Sequence, residues 1–443
     1  MTPHRALLTG AAAGIGAAIL LPLDAPGLGW SLTAAVTFAL LRKVKPGWAL
    51  LSLALFAVGA FVAAWWLFAL CAVAGCAAAS LAVVGGRTAR GLVFGAGAVP
   101  VAAVRALPWV AKGVRGSGAP RLARPVLVTA ALLLVFVPLL AGADAAFANL
   151  LGSMTPDQPS GRPVVLFLAV GLATVGAAFL LAAPPQLDGA SDLPRTVARR
   201  DWALPVGALV VLFSAFVAVQ VTTLFAGDEH VITTPGLTYA DYARSGFWQL
   251  LAVTVLTLGV IAVVARLARL DSPDDRGWLR GLLGALSVLT LVIVASALTR
   301  MWLYQQAYGF TVLRVLVSGC ELWLGVVYLL VLAAGVRMRA EWLARAVVGT
   351  GFAALVGLAV LNPDRFIAER NIERYHATGE IDVRYLATLS DDAVPALAGL
   401  PDDLRACALE FRRVPGDDWR SWNLGRQRAR EALSQVRTGG CAR

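Results

Sequence analysis

The chain has 443 residues, 58% of them hydrophobic and only 15% charged, with a mean hydropathy of +0.73; soluble domains carry about a quarter charged residues, so an ordinary soluble enzyme is excluded. The net charge of +11 does not point to nucleic acid. Of the 38 Arg and Lys, 25 precede position 363 against 14 of the 27 acids, and they gather at the ends of apolar runs, where the positive-inside rule and anionic headgroups account for them.

A helix of about twenty apolar residues crosses a hydrocarbon core about 30 Å thick. The chain predicts an all-α integral membrane protein with about eleven such crossings. The first covers 6–23, uncleaved because no small-x-small site precedes Asp24, and the second 27–41. The tract 48–84 is too long for one crossing and divides near Trp65 and Trp66, a pair suited to an interfacial belt. Further crossings fall at 126–142, 164–183, 204–227, 247–265, 279–298, 310–335 and 343–361. Segment 91–104 is broken by Pro100 and flanked by Arg90 and Arg105, so it reads as interfacial or re-entrant.

Loop charges orient these crossings. Arg42, Lys43 and Lys45 share one loop; Arg87, Arg90, Arg105, Lys112, Arg115, Arg121 and Arg124 the next basic one; then Arg195, Arg199 and Arg200, Arg266, Arg269, Arg276 and Arg280, and Arg337, Arg339 and Arg345. Asp24, Asp144, Asp157, Asp228, Glu229 and Asp241 mark the opposite side. The expectation is a multi-pass protein of the cell membrane with a cytoplasmic N-terminus and an extracytoplasmic C-terminal tail. Only three lysines stand against 35 arginines, the usage of a high-GC bacterial genome.

Residues 1–362 form the transmembrane domain and 363–443 a small helical tail domain. Asn362-Pro363-Asp364 supplies a cap, a first-turn proline and an acid, with Ala368, Ile372 and Tyr375 as an apolar stripe. Ser390-Asp391-Asp392, Pro401-Asp402-Asp403 and Asp417-Asp418 open three more predicted helices around a shared aromatic core. Cys407 and Cys441 are the two tail cysteines, since Cys71, Cys76 and Cys320 fall in apolar runs. In an oxidising compartment the pair is expected to form a disulfide.

Thr9-Gly10-Ala11-Ala12-Ala13-Gly14-Ile15-Gly16 has the spacing of a dinucleotide-binding fingerprint, but that loop needs a strand before it and an acid about twenty residues on. Here the apolar run continues, so Gly10, Gly14 and Ala18 are read as a smooth face for close helix packing. His4, His230 and His376 lie far apart, and HExxH, CxxC and GxSxG are missing, so neither a metal centre nor a cofactor is expected.

The chemically unusual residues surround the seventh to tenth crossings. Glu321 lies deep in the tenth, Arg314 two turns before it, and Arg300, Tyr304 and Tyr308 recur every fourth position at the end of the ninth. Gln220, Thr222, Thr223 and Gln249 add polarity nearby. A charge at membrane depth costs about 2.5–3.5 kcal/mol on insertion scales and so seeks a partner or a wet cavity. In one reading Arg300 or Arg314 pairs with Glu321 and the tyrosines complete a structural network. In the other the cluster lines an outward-facing pocket for an anionic or lipid-like ligand.

Residues 299–325, TRMWLYQQAYGFTVLRVLVSGCELWLG, with TYADYARSGFWQLL at 238–251 and NPDRFIAERNIERY at 362–375, resemble an uncharacterised family of bacterial membrane proteins, domain of unknown function 4173, with a close relative numbered 4153. The resemblance implies a multi-pass membrane protein and brings no activity with it. Function is therefore expected to be that of a non-enzymatic envelope protein, a sensor, scaffold or accessory subunit. The alternative is a transporter or lipid-handling protein, and a transferase using Asp24 is a third reading limited by the shortness of its loop. Expected partners are membrane lipids and, through the tail, another envelope protein.

Overall fold

The structure is a computed structural model describing residues 2–115, 162–185, 187–188, 196–225 and 247–436. The predicted crossing at 126–142, the acids Asp144, Asp157, Asp228, Glu229 and Asp241, the side chains of Thr222 and Thr223, and Cys441 lie outside the described residues.

The described chain is helical: α1 Pro3–Leu20, α2 Leu28–Leu41, α3 Pro46–Phe61, α4 Trp65–Val84, α5 Ala89–Ala96, α6 Ala98–Arg115, α7 Arg162–Ala182, α8 Arg199–Phe225, α9 Phe247–Leu267, α10 Pro273–Tyr308, α11 Val312–Arg337 and α12 Leu343–Leu361. After Asn362 come α13 Pro363–Thr378, α14 Val383–Thr388, a 3-10 turn Asp391–Ala393, α15 Val394–Leu397, α16 Asp402–Leu409 and α17 Leu424–Ser434. Seven of these, α4 and α7 to α12, are long and apolar enough to cross a membrane, and α5 with α6, bent by 61°, would make an eighth. That is fewer than the eleven expected. Besides the undescribed segment, α2 and α3 have only 14 and 16 residues, about 21 and 24 Å at 1.5 Å per residue. Conversely α10, at 36 residues, is about 54 Å long and exceeds a bilayer core, so its polar ends extend past the apolar middle.

The chain separates into two compact units, residues 1–188 with 413–431 and residues 189–412 with 432–443. The residues after 362, predicted as one tail domain, thus contribute to both.

In the first unit α1 packs against α7 through the small-residue stripe. A Cβ at Gly10 would lie 2.5 Å from Val175 and 2.9 Å from the Gly171 carbonyl, and one at Gly14 2.5 Å from the Phe167 carbonyl. The run from Thr9 to Gly16 is therefore interior helix, and its glycines serve backbone approach rather than a phosphate. The tract 48–84 does divide before Trp65, at an extended turn over 62–64. The break in 91–104 comes at Gly97 and not at Pro100, which sits in the first turn of α6, where no amide hydrogen is missed. Ser80 accommodates the bend: its hydroxyl donates to the Gly95 carbonyl and accepts from the Val99 amide at 3.1 Å. At the basic end of this unit Lys45 donates to the Val84 carbonyl at the end of α4. Asp188 accepts from the amides of Arg87 and Thr88 at 2.8 and 3.0 Å. These bonds, that of Thr88 foremost, hold the Asp188 carboxyl below the usual range.

In the second unit α8 to α11 enclose one core that includes Trp202, Val206, Phe213, Leu286, Ile293 and Tyr328. Its tail residues bury aliphatic side chains, Ile367, Leu386, Leu397, Leu400 and Leu409. The expected aromatic core is absent here, with Phe411 88% exposed. α13 starts as predicted, with Asn362 accepting from the Arg365 amide at 3.4 Å. In the tail segment that belongs to the first unit, Asp417 and Asp418 do not open a helix. Asp418 instead accepts from both the amide and hydroxyl of Ser421, a local turn that competes with helix, and α17 begins only at Leu424 under the Asn423 cap.

Candidate functional site

Two groups of polar residues stand out: the cluster predicted around α10 and α11, and tail side chains bound to the turns between apolar helices.

The structure divides the predicted cluster into three parts. Arg300 donates to Gln220 at 2.6 Å, and Ser296 donates to the same oxygen at 3.4 Å. Arg314 lies over the Tyr304 ring at 4.3 Å, donates to the Tyr308 carbonyl at 3.0 Å and also to that of Gly309. The Tyr304 and Tyr308 rings lie tilted at 41° to each other with centroids 5.0 Å apart. Arg314 thereby caps the last carbonyls of α10, satisfying acceptors that a helix end leaves open. Glu321 is fully buried, and neither carboxyl oxygen has a hydrogen-bond partner among the described residues. Gln249 is exposed at the start of α9 and forms no part of these bonds. Among the described residues Glu321 therefore makes no hydrogen bond to Arg300 or Arg314, whose guanidinium groups bond to Gln220 and to the carbonyls of Tyr308 and Gly309.

The tail bonds were not foreseen. In the second unit they converge on the α10–α11 turn, where Gly309 has φ +78°. Asn371 on α13 accepts from the Phe310 amide and donates to the Phe310 carbonyl, both at 2.9 Å. Tyr385 on α14 accepts from the Val312 amide at 2.8 Å, and burial pushes its phenol up despite that bond. Arg374 donates to the carbonyls of Gln306 and Ala307 at 3.2 and 2.7 Å and pairs with Glu380 at 2.7 Å. Phe366 packs edge-on against Phe310 at 5.6 Å. A Cβ at Gly309 would lie 2.5 Å from the Asn371 oxygen, so glycine is required there twice over.

In the first unit the segment 417–426 binds the α1–α2 and α3–α4 turns. Asn423, fully buried, donates to the Gly59 and Val62 carbonyls at 2.8 and 3.0 Å. Arg420 donates to the Ile19 carbonyl at 3.0 Å, and its own carbonyl accepts from the Gly29 amide at 2.8 Å. Arg426 reaches the Pro26 carbonyl at 2.9 Å and pairs with Asp417 at 2.7 Å, with only 7% and 4% of the two side chains exposed. Arg430 is a second partner of Asp417 at 3.0 Å. A Cβ on Gly27 would collide with the Ser421 backbone. Asn371 and Arg374 fall within the 362–375 string that carried the family resemblance, the one sequence signal for these contacts.

These helices define a polytopic α-helical membrane protein. Within that class, the family model described as a domain of unknown function, DUF4153, matches residues 50–400, and the chain belongs to this family. The match reaches well N-terminal to the strings between 238 and 375 that carried the resemblance and identifies the relative numbered 4153. No curated protein and no solved structure matches the chain.

Proposed function

We propose that this is a non-enzymatic envelope protein of the cell membrane, a scaffold, sensor or accessory subunit whose tail stands outside and is built onto the tips of the apolar helices. The observation that carries this reading is the use of tail side chains. Asn371, Arg374 and Tyr385 in one unit, and Arg420, Asn423 and Arg426 in the other, are spent on backbone groups of helix turns. Polar residues so engaged build a rigid platform and not a reaction centre.

Charge supports the orientation. In the first unit the gripped turns 21–27 and 62–64 hold Asp24 and no Arg or Lys, whereas the turns at the other ends of α2 and α4 carry Arg42, Lys43 and Lys45, and Arg87; in the second unit, taken by itself, the gripped turn 309–311 holds no charge, whereas the far end of α11 carries Arg337 and Arg339. By the positive-inside rule the gripped end of each unit is external. Reporter fusions test this: an enzyme active only outside the cytoplasm, joined after Ser434, should be active, and one joined within 42–45 silent. The reverse pattern would overturn the reading.

A further inference from the structure

The bent pair α5–α6 is apolar enough to cross a membrane, yet its partners in the first unit gather at one end of the helices. A Cβ on Gly95 would lie 2.8 Å from the Gly85 carbonyl just after α4, and the Val99 amide donates to Ser80 near the end of α4 at 3.1 Å. On α7 a Cβ at Gly176 would meet the Ala103 amide nitrogen at 2.5 Å, and the Phe179 and Trp109 rings lie 5.4 Å apart. Ala106 and Val110 pack with Val175 and with Leu7 in the second turn of α1. At 1.5 Å per residue these partners all lie within about 11 Å of the near ends of α1, α4 and α7. The loop after α2 reaches the same end, where the Lys45 amide donates to the Ala82 carbonyl at 2.8 Å. The pair thus runs across one end of these helices and not from one end to the other.

Its outer face is apolar: among the described residues Val93, Phe94, Val101 and Val104 are each more than half exposed. Arg90 lies over the Phe94 ring at 5.6 Å, and Arg105 is exposed beside Val104. Water would leave the four apolar side chains unburied, and the hydrocarbon core would strand Arg105. The headgroup–acyl boundary accommodates both, since an in-plane helix sinks its apolar face about 5–10 Å while basic side chains extend to the headgroups. The same end carries Arg42, Lys43, Lys45 and Arg87. Its acid among the described residues is Asp188, whose carboxylate already accepts from the Arg87 and Thr88 amides. Fixed positive charge beside an apolar strip is complementary to an anionic phospholipid.

We propose that α5 and α6 form an in-plane surface that binds anionic phospholipid, with Arg87 and Arg105 at headgroup phosphates and Val101 and Val104 against the upper acyl chains. The inference rests on the first unit alone and holds whichever side its basic end faces, so it and the tail reading can fail separately.

The test uses the full chain with Val104→Cys carrying a bimane fluorophore, its other cysteines replaced by alanine, in phosphatidylcholine vesicles. Lipid with a nitroxide near the headgroup end of its acyl chain should quench the fluorophore more strongly than lipid with the nitroxide at the chain terminus. Nitroxide-labelled phosphatidylglycerol should be preferred over the matching phosphatidylcholine by roughly fivefold, the effect of a basic side chain at an anionic surface. Arg87→Gln with Arg105→Gln should remove that preference and leave quenching by phosphatidylcholine unchanged. Stronger quenching from the chain terminus would place the pair across the membrane, and quenching by neither position would mean that protein covers the face. Equal quenching by the two lipids, or a preference that survives the double variant, would remove the anionic ligand. Each of these results overturns the proposal.

Discussion

The tail holds the helix turns of the two units by different chemistry. On the α10–α11 turn, the central contact is a neutral amide, Asn371, matched to one peptide unit, and the charged partner Glu380 is 74% exposed. On the α1–α2 and α3–α4 turns, the contact is anchored by a buried ion pair, Arg426 with Asp417. A neutral pair can be lost at the cost of a hydrogen bond, but half of a buried ion pair leaves an uncompensated charge. The two grips should therefore differ in how steeply they fail.

The largest effect is expected at Arg426. Arg426→Ala leaves Asp417 buried with Arg430 alone and should destabilise the chain by about 3–5 kcal/mol, measured by thermal or denaturant unfolding of the purified protein. Adding Asp417→Ala should recover part of that loss. If the single variant costs no more than Asn371→Ala, the distinction between the grips disappears.

The second unit gains a covalent hold if Cys407 pairs with Cys441, as we propose from the count of cysteines in the tail. The free thiols Cys71, Cys76 and Cys320 belong to apolar helices, and Cys441 lies outside the described residues. Closing a loop of about 34 residues should contribute roughly 3–4 kcal/mol. A reductant should lower the unfolding transition of the native chain by that amount and leave Cys441→Ser unaffected; equal responses would remove the bridge and its contribution.

Asn371→Ala should cost about 2–3 kcal/mol, the desolvation of the Phe310 amide and carbonyl left unpaired. Asn371→Asp keeps only the acceptor and should fall between. Amide exchange at Phe310 reads the loss locally, and protection unchanged in Asn371→Ala would mean that Tyr385 and Arg374 suffice.

Acid should act last and least. Bonds from the Ser421 hydroxyl and amide hold the Asp418 carboxyl down to about 2. Since the folded value is depressed, its contribution is complete above the usual carboxylate range near pH 4 and is lost as pH falls through about 2. The side chain is 42% exposed, so the effect is screened to under about 1 kcal/mol. Asp418→Asn should flatten the acid limb of the stability curve between pH 4 and 2, and an unchanged limb would assign the loss to other carboxylates.

The sequence by itself determined the apolar helices, the side of the chain on which arginine gathers, the Asn362 cap and the Gly10–Gly14 packing face. These follow from local rules: an apolar run must satisfy its backbone internally, and a glycine at every fourth residue makes a smooth ridge wherever the helix goes. Segment 91–104 was legible as irregular but not as a bend at Gly97, because Ser80 from another helix is what satisfies the break. Only the tertiary structure decided the tail contacts. Asn371 reaches Phe310 across 61 positions and Asn423 reaches Gly59 across 364, and an asparagine carries no mark of which distant peptide it will meet. The same holds for Glu321. Its depth could be counted from the end of a helix, but its isolation depended on where Arg300 and Arg314 found their oxygens, and those oxygens belong to Gln220 on another helix and to a turn made of backbone.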